Sequence, residues 1–258
     1  MAPALEISGL SVLYGAAIEA LEGVSITLPE GGFVALLGAN GAGKSTTLKA
    51  ASGLLRFEGG RIAAGSIRFR GRDIGRLPAW QIARLGIMHV REGRHVFPDM
   101  TVEENLDAAL FARGGRKAPA GATRRHDEIF RYFPALAERR RGKAGYLSGG
   151  EQQMLAIGRA LHAQPELLMV DEASLGLAPR IAADIFEILA RINRERNLSL
   201  LVVEQNVTLA LRHATYGYVL ESGRLVEQGP ADSLMDRESL SQRYLGGAAT
   251  AARPEVTP

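Results

Sequence analysis

Gly38-Ala39-Asn40-Gly41-Ala42-Gly43-Lys44-Ser45 follows the unbroken apolar run Phe33-Val34-Ala35-Leu36-Leu37 and leads into Thr46-Thr47-Leu48-Lys49-Ala50-Ala51-Ser52. The spacing is G-x-x-x-x-G-K-S, set between a strand signal and a helix signal, which is the context a phosphate-binding loop requires. An apolar run without alternation predicts a strand covered on both faces. Lys44 to about Ser52 predicts a helix, stopped at Gly53. Glycines in such a loop let backbone N–H groups converge on phosphate oxygens, and the helix N-terminus adds partial positive charge. Lys44 is expected to reach the β- and γ-phosphates of a nucleotide, and Ser45 to ligate Mg²⁺.

A second apolar run, Leu167-Leu168-Met169-Val170, ends in Asp171-Glu172. Carboxylates at the C-terminal end of a strand face the ligand crevice of an open α/β sheet. Asp171 is placed to hold Mg²⁺, directly or through water. Glu172, one step on, points elsewhere and is suited to polarise a water for attack on the γ-phosphate. A third signal is Leu147-Ser148-Gly149-Gly150-Glu151-Gln152-Gln153, a glycine turn opening another helix. It reads both as a capping box, Ser148 with Glu151, and as a second anion site at a helix N-terminus. Two anion sites in one chain suggest that each contacts a different nucleotide.

Outward from these motifs, Leu5 to Leu13, Val24 to Leu28, Ser66 to Arg70 and Gly86 to Val90 predict strands. Val102 to Phe111 is helical in pattern, Ala112 to Arg125 predicts a mobile loop, and Asp127 to Arg141 predicts a basic helix. Gly150 to His162 is helical, with Met154, Ile157 and Leu161 on one face. Glu166 to Val170, Leu198 to Val203, Tyr216 to Leu220 and Arg224 to Glu227 predict strands. A helix with Ile181, Ile185, Ile188 and Ile192 on one face, and a short helix at Val207 to Leu211, alternate with them. Strands alternating with helices imply an α/β fold with a parallel sheet. Residues 4–245 are expected to form a single domain, and the small, polar tail 246–258 to be disordered.

Composition excludes several classes. Lys and Arg number 31 against 28 Asp and Glu, a net charge of +3, and hydrophobic residues are 46%. That is neither a disordered chain nor one whose charge announces nucleic-acid binding. No apolar run approaches the ~18–20 residues that span a bilayer, Met1 to Leu10 shows no secretory signal, and the chain has no cysteine. These features favour a cytoplasmic protein.

Phosphate loop, Leu147-to-Gln153 signature and apolar strand ending in Asp171-Glu172, in that order and covering Leu5 to about Leu245, resemble the ATP-binding subunits of ABC transporters. The resemblance implies a P-loop ATPase core with an N-terminal antiparallel β subdomain and an inserted α-helical subdomain at about residues 92–160. It implies head-to-tail dimers, each ATP held between the phosphate loop of one domain and the signature turn of the other. The nucleotide set carried over is Tyr14 as the aromatic on adenine, then Gly38, Asn40, Gly41, Ala42, Gly43, Lys44, Ser45 and Thr46, with Glu92, and with Ser148, Gly149 and Gly150 serving the partner's ATP. Ser45, Asp171 and Glu92 would surround Mg²⁺. Glu172, Lys44 and Gln205 would carry catalysis.

Glu92 stands where that family usually has Gln, and Gln205 where it usually has a switch His. The loop Ser174-Leu175-Gly176-Leu177 lacks the family's usual Asp. A Gln donates an amide hydrogen bond but cannot become cationic. The stretches 91–106, 174–179 and 203–206 together resemble the LivF-type ATPase subunits of branched-chain amino acid importers, which work beside a second, LivG-type ATPase. That implies import of branched-chain amino acids or related amino acids and amides. It also implies a second ATPase subunit as partner, a heterodimer being favoured over a homodimer, with transmembrane permeases, an indirect link to an extracytoplasmic binding protein, and a place on the cytoplasmic face of the membrane. Two other functions stay open: an ABC-type ATPase acting on nucleic acid or ribosomes, and a subunit that binds nucleotide without hydrolysing it. Arg139 to Lys143 reads as a solvated helix end, Trp80 as a packing residue, and His162 and His213 as histidines without a metal-ligand pattern nearby.

Overall fold

β3 (Phe33–Leu37) is buried at every position and lies in the middle of a six-stranded sheet, as its unbroken apolar pattern predicts. The description rests on a computed structural model and covers residues 2–15, 18–110 and 122–236. The sheet order is β10-β9-β3-β8-β7-β6, with β6 (Ile87–Val90), β7 (Leu167–Asp171), β8 (Ser199–Glu204) and β9 (Tyr216–Glu221) parallel to β3 or to one another. β10 (Arg224–Pro230) closes one edge as the antiparallel arm of a hairpin with β9. A second sheet, β2-β1-β4-β5, is antiparallel throughout: β1 (Leu5–Tyr14), β2 (Ile18–Leu28), β4 (Gly60–Phe69) and β5 (Arg72–Asp73).

The parallel sheet buries its two faces in different cores. Phe33, Ala35 and Leu37 face the helices, among them α6 (Gly149–His162), α7 (Pro179–Arg196) and α8 (Val207–Leu211). Val34 and Leu36 face the antiparallel sheet and α1 (Lys44–Ala51), packing with Leu5, Leu10, Leu21 and Leu48. This strand parity sends alternate β3 side chains to opposite cores. Between β6 and β7 the chain builds α3 (Val102–Ala108), α4 (Ala122–Tyr132), α5 (Pro134–Glu138) and α6, joined in one apolar cluster through Leu106, Ile129, Phe133, Leu136 and Ile157. Among the described residues, no helix is long and apolar enough to cross a membrane.

Several expectations are corrected. The basic helix expected over 127–141 is two helices, because Pro134 lacks an N–H and bars the α region to Phe133, which sits at φ −125°, ψ 73°. Arg139 and Arg140 follow the second helix and reach from the surface to the partly buried carboxylates of Glu151 and Glu103. Residues 122–125, expected in a loop, belong to α4. The rest of that loop lies outside the described residues, as does the tail. β2 starts at Ile18 rather than Val24, its alternation being broken by register shifts against β1. β4 likewise starts at Gly60, and α2 (Ala79–Arg84), β5 and α9 (Ala231–Met235) were not expected. Trp80 is 55% exposed and stacks on Arg84 at the surface instead of filling the core.

Candidate functional site

The loop between β3 and α1 is shaped by its glycines. Gly38 carries no Cβ because one would sit 2.3 Å from the Leu220 carbonyl oxygen. Gly43, at φ +104°, caps α1 in the left-handed region, and a Cβ there would meet Leu21 Cδ2 at 2.6 Å. These approaches hold the loop against β9 and β2.

Lys44 is buried in that loop. Its Nζ donates to the carbonyls of Gly38 and Ala39, both at 2.9 Å, and lies 3.4 Å from Glu172 Oε1. Ser45 Oγ donates to Asp171 Oδ1 at 3.1 Å, so α1 and the end of β7 present two oxygen donors side by side. Burial, opposed by the Ser45 hydrogen bond and helped by the charges of Glu172 and Glu92, pushes the Asp171 carboxyl up to about 6. Glu92 is an exposed residue whose charge reaches Asp171 through space.

Glu172 departs from the strand at φ +47°, a left-handed conformation worth roughly 1–3 kcal/mol of strain for a residue with a side chain. Its backbone N–H still donates to Val203 O at 2.9 Å, so the turn is anchored to β8. The carboxylate accepts from Gln205 Nε2 at 3.0 and 2.9 Å, and the same amide nitrogen lies 2.6 Å from Asn40 Oδ1. Phosphate loop, Asp171-Glu172 and Gln205, distant in sequence, thus converge on one hydrogen-bonded group. Tyr14 is at the end of β1, opposite Ile18 and Gly60 and partly packed on the second core.

The signature turn is a true capping box. Ser148 Oγ accepts from Glu151 N, and Glu151 Oε2 accepts from Ser148 N at 2.7 Å. Gly150 is required because a Cβ would lie 2.7 Å from Ile181 Cγ2 on α7.

Two residues were missed by sequence reasoning. The Arg94 guanidinium lies over Gly149, where a Cβ would come within 2.8 Å of its nitrogens. It is presented there by a run of positive φ values at Gly93, Arg94 and His95. Glu204 is buried at the end of β8, its pKa raised by burial. It accepts from Ser174 N at 2.9 Å and Ser174 Oγ at 2.8 Å, tying the loop after Glu172 to the strand that leads into Gln205. The sequence signal was an acid ending an apolar strand.

Residues 21–175 match the family described as ABC transporter. The chain is 44% identical to the high-affinity branched-chain amino acid transport ATP-binding protein BraG of Pseudomonas aeruginosa, over 94% of this chain and 100% of that protein. It is 31% identical to BraF of the same organism, named for the same transport, over 95% of this chain and 99% of that protein. A solved ATP-binding cassette of an ABC transporter in its ADP conformation superposes with TM-score 0.81 at 25% identity, over 95% of this chain and 100% of the other. A dimeric cassette in a post-hydrolysis state, bound to ADP and Pi, shares the fold with TM-score 0.77 at 24% identity, over 88% and 98%.

Proposed function

Because this chain belongs to the ABC transporter family, we propose that it is the ATP-hydrolysing subunit that energises import of branched-chain amino acids, or related amino acids and amides, through separate permeases. The observation that carries the reading is the convergence of Lys44, Glu172, Asn40 and Gln205 at the phosphate loop, within a chain matched over 94% of its length by BraG. The presence of both BraG and BraF in one organism supports a second, non-identical ATPase as partner. ATP supply places the subunit on the cytoplasmic face, with a binding protein acting from the other side.

The side-by-side oxygens of Ser45 and Asp171 suit a hard, oxygen-seeking cation such as Mg²⁺. When bound, Mg²⁺ neutralises charge that develops on the phosphates. The chain's own residues do the rest. Before ATP arrives, Lys44 is held by two loop carbonyls and Glu172. ATP phosphates draw the Lys44 ammonium away, because a dianionic γ-phosphate outcompetes a carbonyl pair. That frees the Glu172 carboxylate to take a proton from the attacking water. The water oxygen bonds to the γ-phosphorus as the bond to the ADP oxygen breaks, and phosphate and ADP leave. Gln205, swinging from Glu172, donates its amide to the γ-phosphate. Tyr14 stacks on adenine, Thr46 supports the phosphates, and Ser148, Gly149 and Gly150 close over the partner's ATP.

Uptake of labelled leucine, isoleucine and valine, measured in cells lacking this chain and in cells restored with wild type or Glu172→Gln, tests the reading. Loss of uptake, restored only by wild type, is expected. Unchanged uptake of all three in cells lacking the chain would overturn the proposed substrate.

A further inference from the structure

Away from the nucleotide site, three helices bring together residues that lie far apart in sequence. Asp107 is on α3, His126 on α4 and His162 at the C-terminal end of α6. His126 Nε2 is 2.8 Å from Asp107 Oδ1, and His162 Nε2 is 3.6 Å from the same oxygen. The two imidazoles stack, with centroids 4.9 Å apart and planes at 28°. One ligand atom from each residue lies within 4.8 Å of the other two. Both histidines are buried, while Asp107 is half-exposed, so the group is open to solvent on the carboxylate side.

We propose that Asp107, His126 and His162 form a site for a divalent transition metal of the zinc class, clamping α3, α4 and α6 together. The donor set is two imidazole nitrogens and one carboxylate oxygen, which suits zinc, cobalt or nickel and not Mg²⁺ or Ca²⁺, whose sites are built of oxygens. Ligands at about 2.0–2.2 Å from a tetrahedral zinc lie roughly 3.3 Å from one another. The observed 2.8 and 3.6 Å bracket that spacing for the two imidazole–carboxylate pairs, and all three ligand atoms lie within 4.8 Å of one another, so side-chain rotation is what closes the group around the ion. Water from the exposed side supplies the fourth position. A buried hydrogen bond between His126 and Asp107 needs no third residue. What points to a metal is that a second imidazole, from another helix, places its Nε2 only 3.6 Å from the same carboxylate oxygen. The clamp would fix the end of α6 opposite the one that carries Ser148, and so stiffen the unit that presents the signature turn.

The test uses the untagged full-length chain without nucleotide and Co²⁺ as the probe. One equivalent of Co²⁺ should develop the intense visible absorption of a low-coordinate nitrogen and oxygen site, displaced by Zn²⁺ and not by Mg²⁺. Outer-sphere partners alone are worth roughly 10–100-fold in metal affinity, so losing a ligand costs at least that. Asp107→Asn and His126→Gln should each weaken uptake by at least tenfold. Zn²⁺ should raise the wild-type Tm and raise that of Asp107→Asn clearly less at the same concentration, because stabilisation by an ion bound to the folded state falls as its Kd rises. Asp107 is half-exposed, so this variant keeps the fold even if His126→Gln does not, and far-UV circular dichroism checks both. Absence of the absorption, or an equal absorption and Tm rise in Asp107→Asn, would overturn the site.

Discussion

Under the proposed function, Glu172 and Gln205 are the residues at which local chemistry would set the reaction. Glu172→Gln keeps the shape and the hydrogen bond to the chain but loses the base. Turnover should fall by about 10²–10⁴-fold, the usual worth of general base catalysis, with Mg-ATP affinity kept. Steady-state ATPase alongside equilibrium nucleotide binding separates the two effects, and full turnover in this variant would remove Glu172 from the role. Gln205→Ala loses one amide hydrogen bond to a charged group, worth about 1.5–3 kcal/mol, so turnover should drop roughly ten- to a hundredfold if the bond tightens in the transition state. ADP affinity should stay near wild type. His89 gives a stability prediction. Burial, with the Arg91 and Lys49 charges, lowers its pKa to about 3, and its Nε2 is shut away from solvent. The unfolded chain protonates near 6.5 and the folded one does not, so the folded state is fully favoured above 6.5 and loses ground as pH falls toward 3. Between pH 6.5 and 5 this costs about 1–2 kcal/mol. His89→Gln should make denaturant midpoints fall less over that range. At this scale the sequence singled out Lys44 and Ser45 by motif spacing and Asp171 and Glu172 as acids ending an apolar strand, and the structure brings the four side by side. The sequence carried no sign of the left-handed turn at Glu172 or of the bridge from Gln205 to Asn40, because both depend on how β7 and β8 end beside the loop.

Elements with one strong period were legible, and those whose pattern is interrupted were not. β3, β7 and β8 read as apolar runs, and α7 read from its isoleucine face. β2 and β4 lost their first halves because register shifts and exposed small residues break the alternation that identifies a strand. α2 and α9 are short helices without a side-chain cap, so no cap residue announced either of them. The break between α4 and α5 is set by Pro134, inside a stretch whose basic residues otherwise continue a helical pattern. Glu204 belongs to this scale as well, because it joins two elements. Glu204→Ala leaves the half-buried Ser174 N–H without its acceptor, which costs up to about 1–3 kcal/mol. The loop after Glu172 should then lose its tether to β8. ATPase turnover should fall, and nucleotide affinity should change little, because Ser174 does not line the phosphate loop. A variant with wild-type turnover and lowered stability would confine Glu204 to a structural part.

The whole molecule raises a question of completeness. The phosphate loop starts α1 and the signature turn starts α6, on different parts of the chain, and among the described residues no hydrogen bond or ion pair joins Lys44 to Ser148 within the protomer. Under the proposed function, each ATP would take its phosphate loop from one protomer and its signature from the other, so a site-directed pair of variants can count sites. Lys44→Ala removes the fixed charge on the phosphates from one kind of half-site. Ser148→Arg leaves that half-site intact and fills the turn that faces the partner's γ-phosphate. Each variant alone spoils both composite sites of a homodimer. Mixed, the two chains form heterodimers in which one site joins the intact loop of the Ser148→Arg chain to the intact signature of the Lys44→Ala chain, while the other site carries both lesions. Built on Glu172→Gln, so that closed dimers persist, neither variant alone should dimerise with ATP, and an equimolar mixture should regain part of the dimer on size-exclusion chromatography. The Ser148→Arg chain by itself should still bind ATP as a monomer. If the mixture stays monomeric while the unmodified Glu172→Gln chain dimerises, the two motifs do not act across protomers. If Ser148→Arg loses ATP as a monomer, the signature turn serves its own nucleotide.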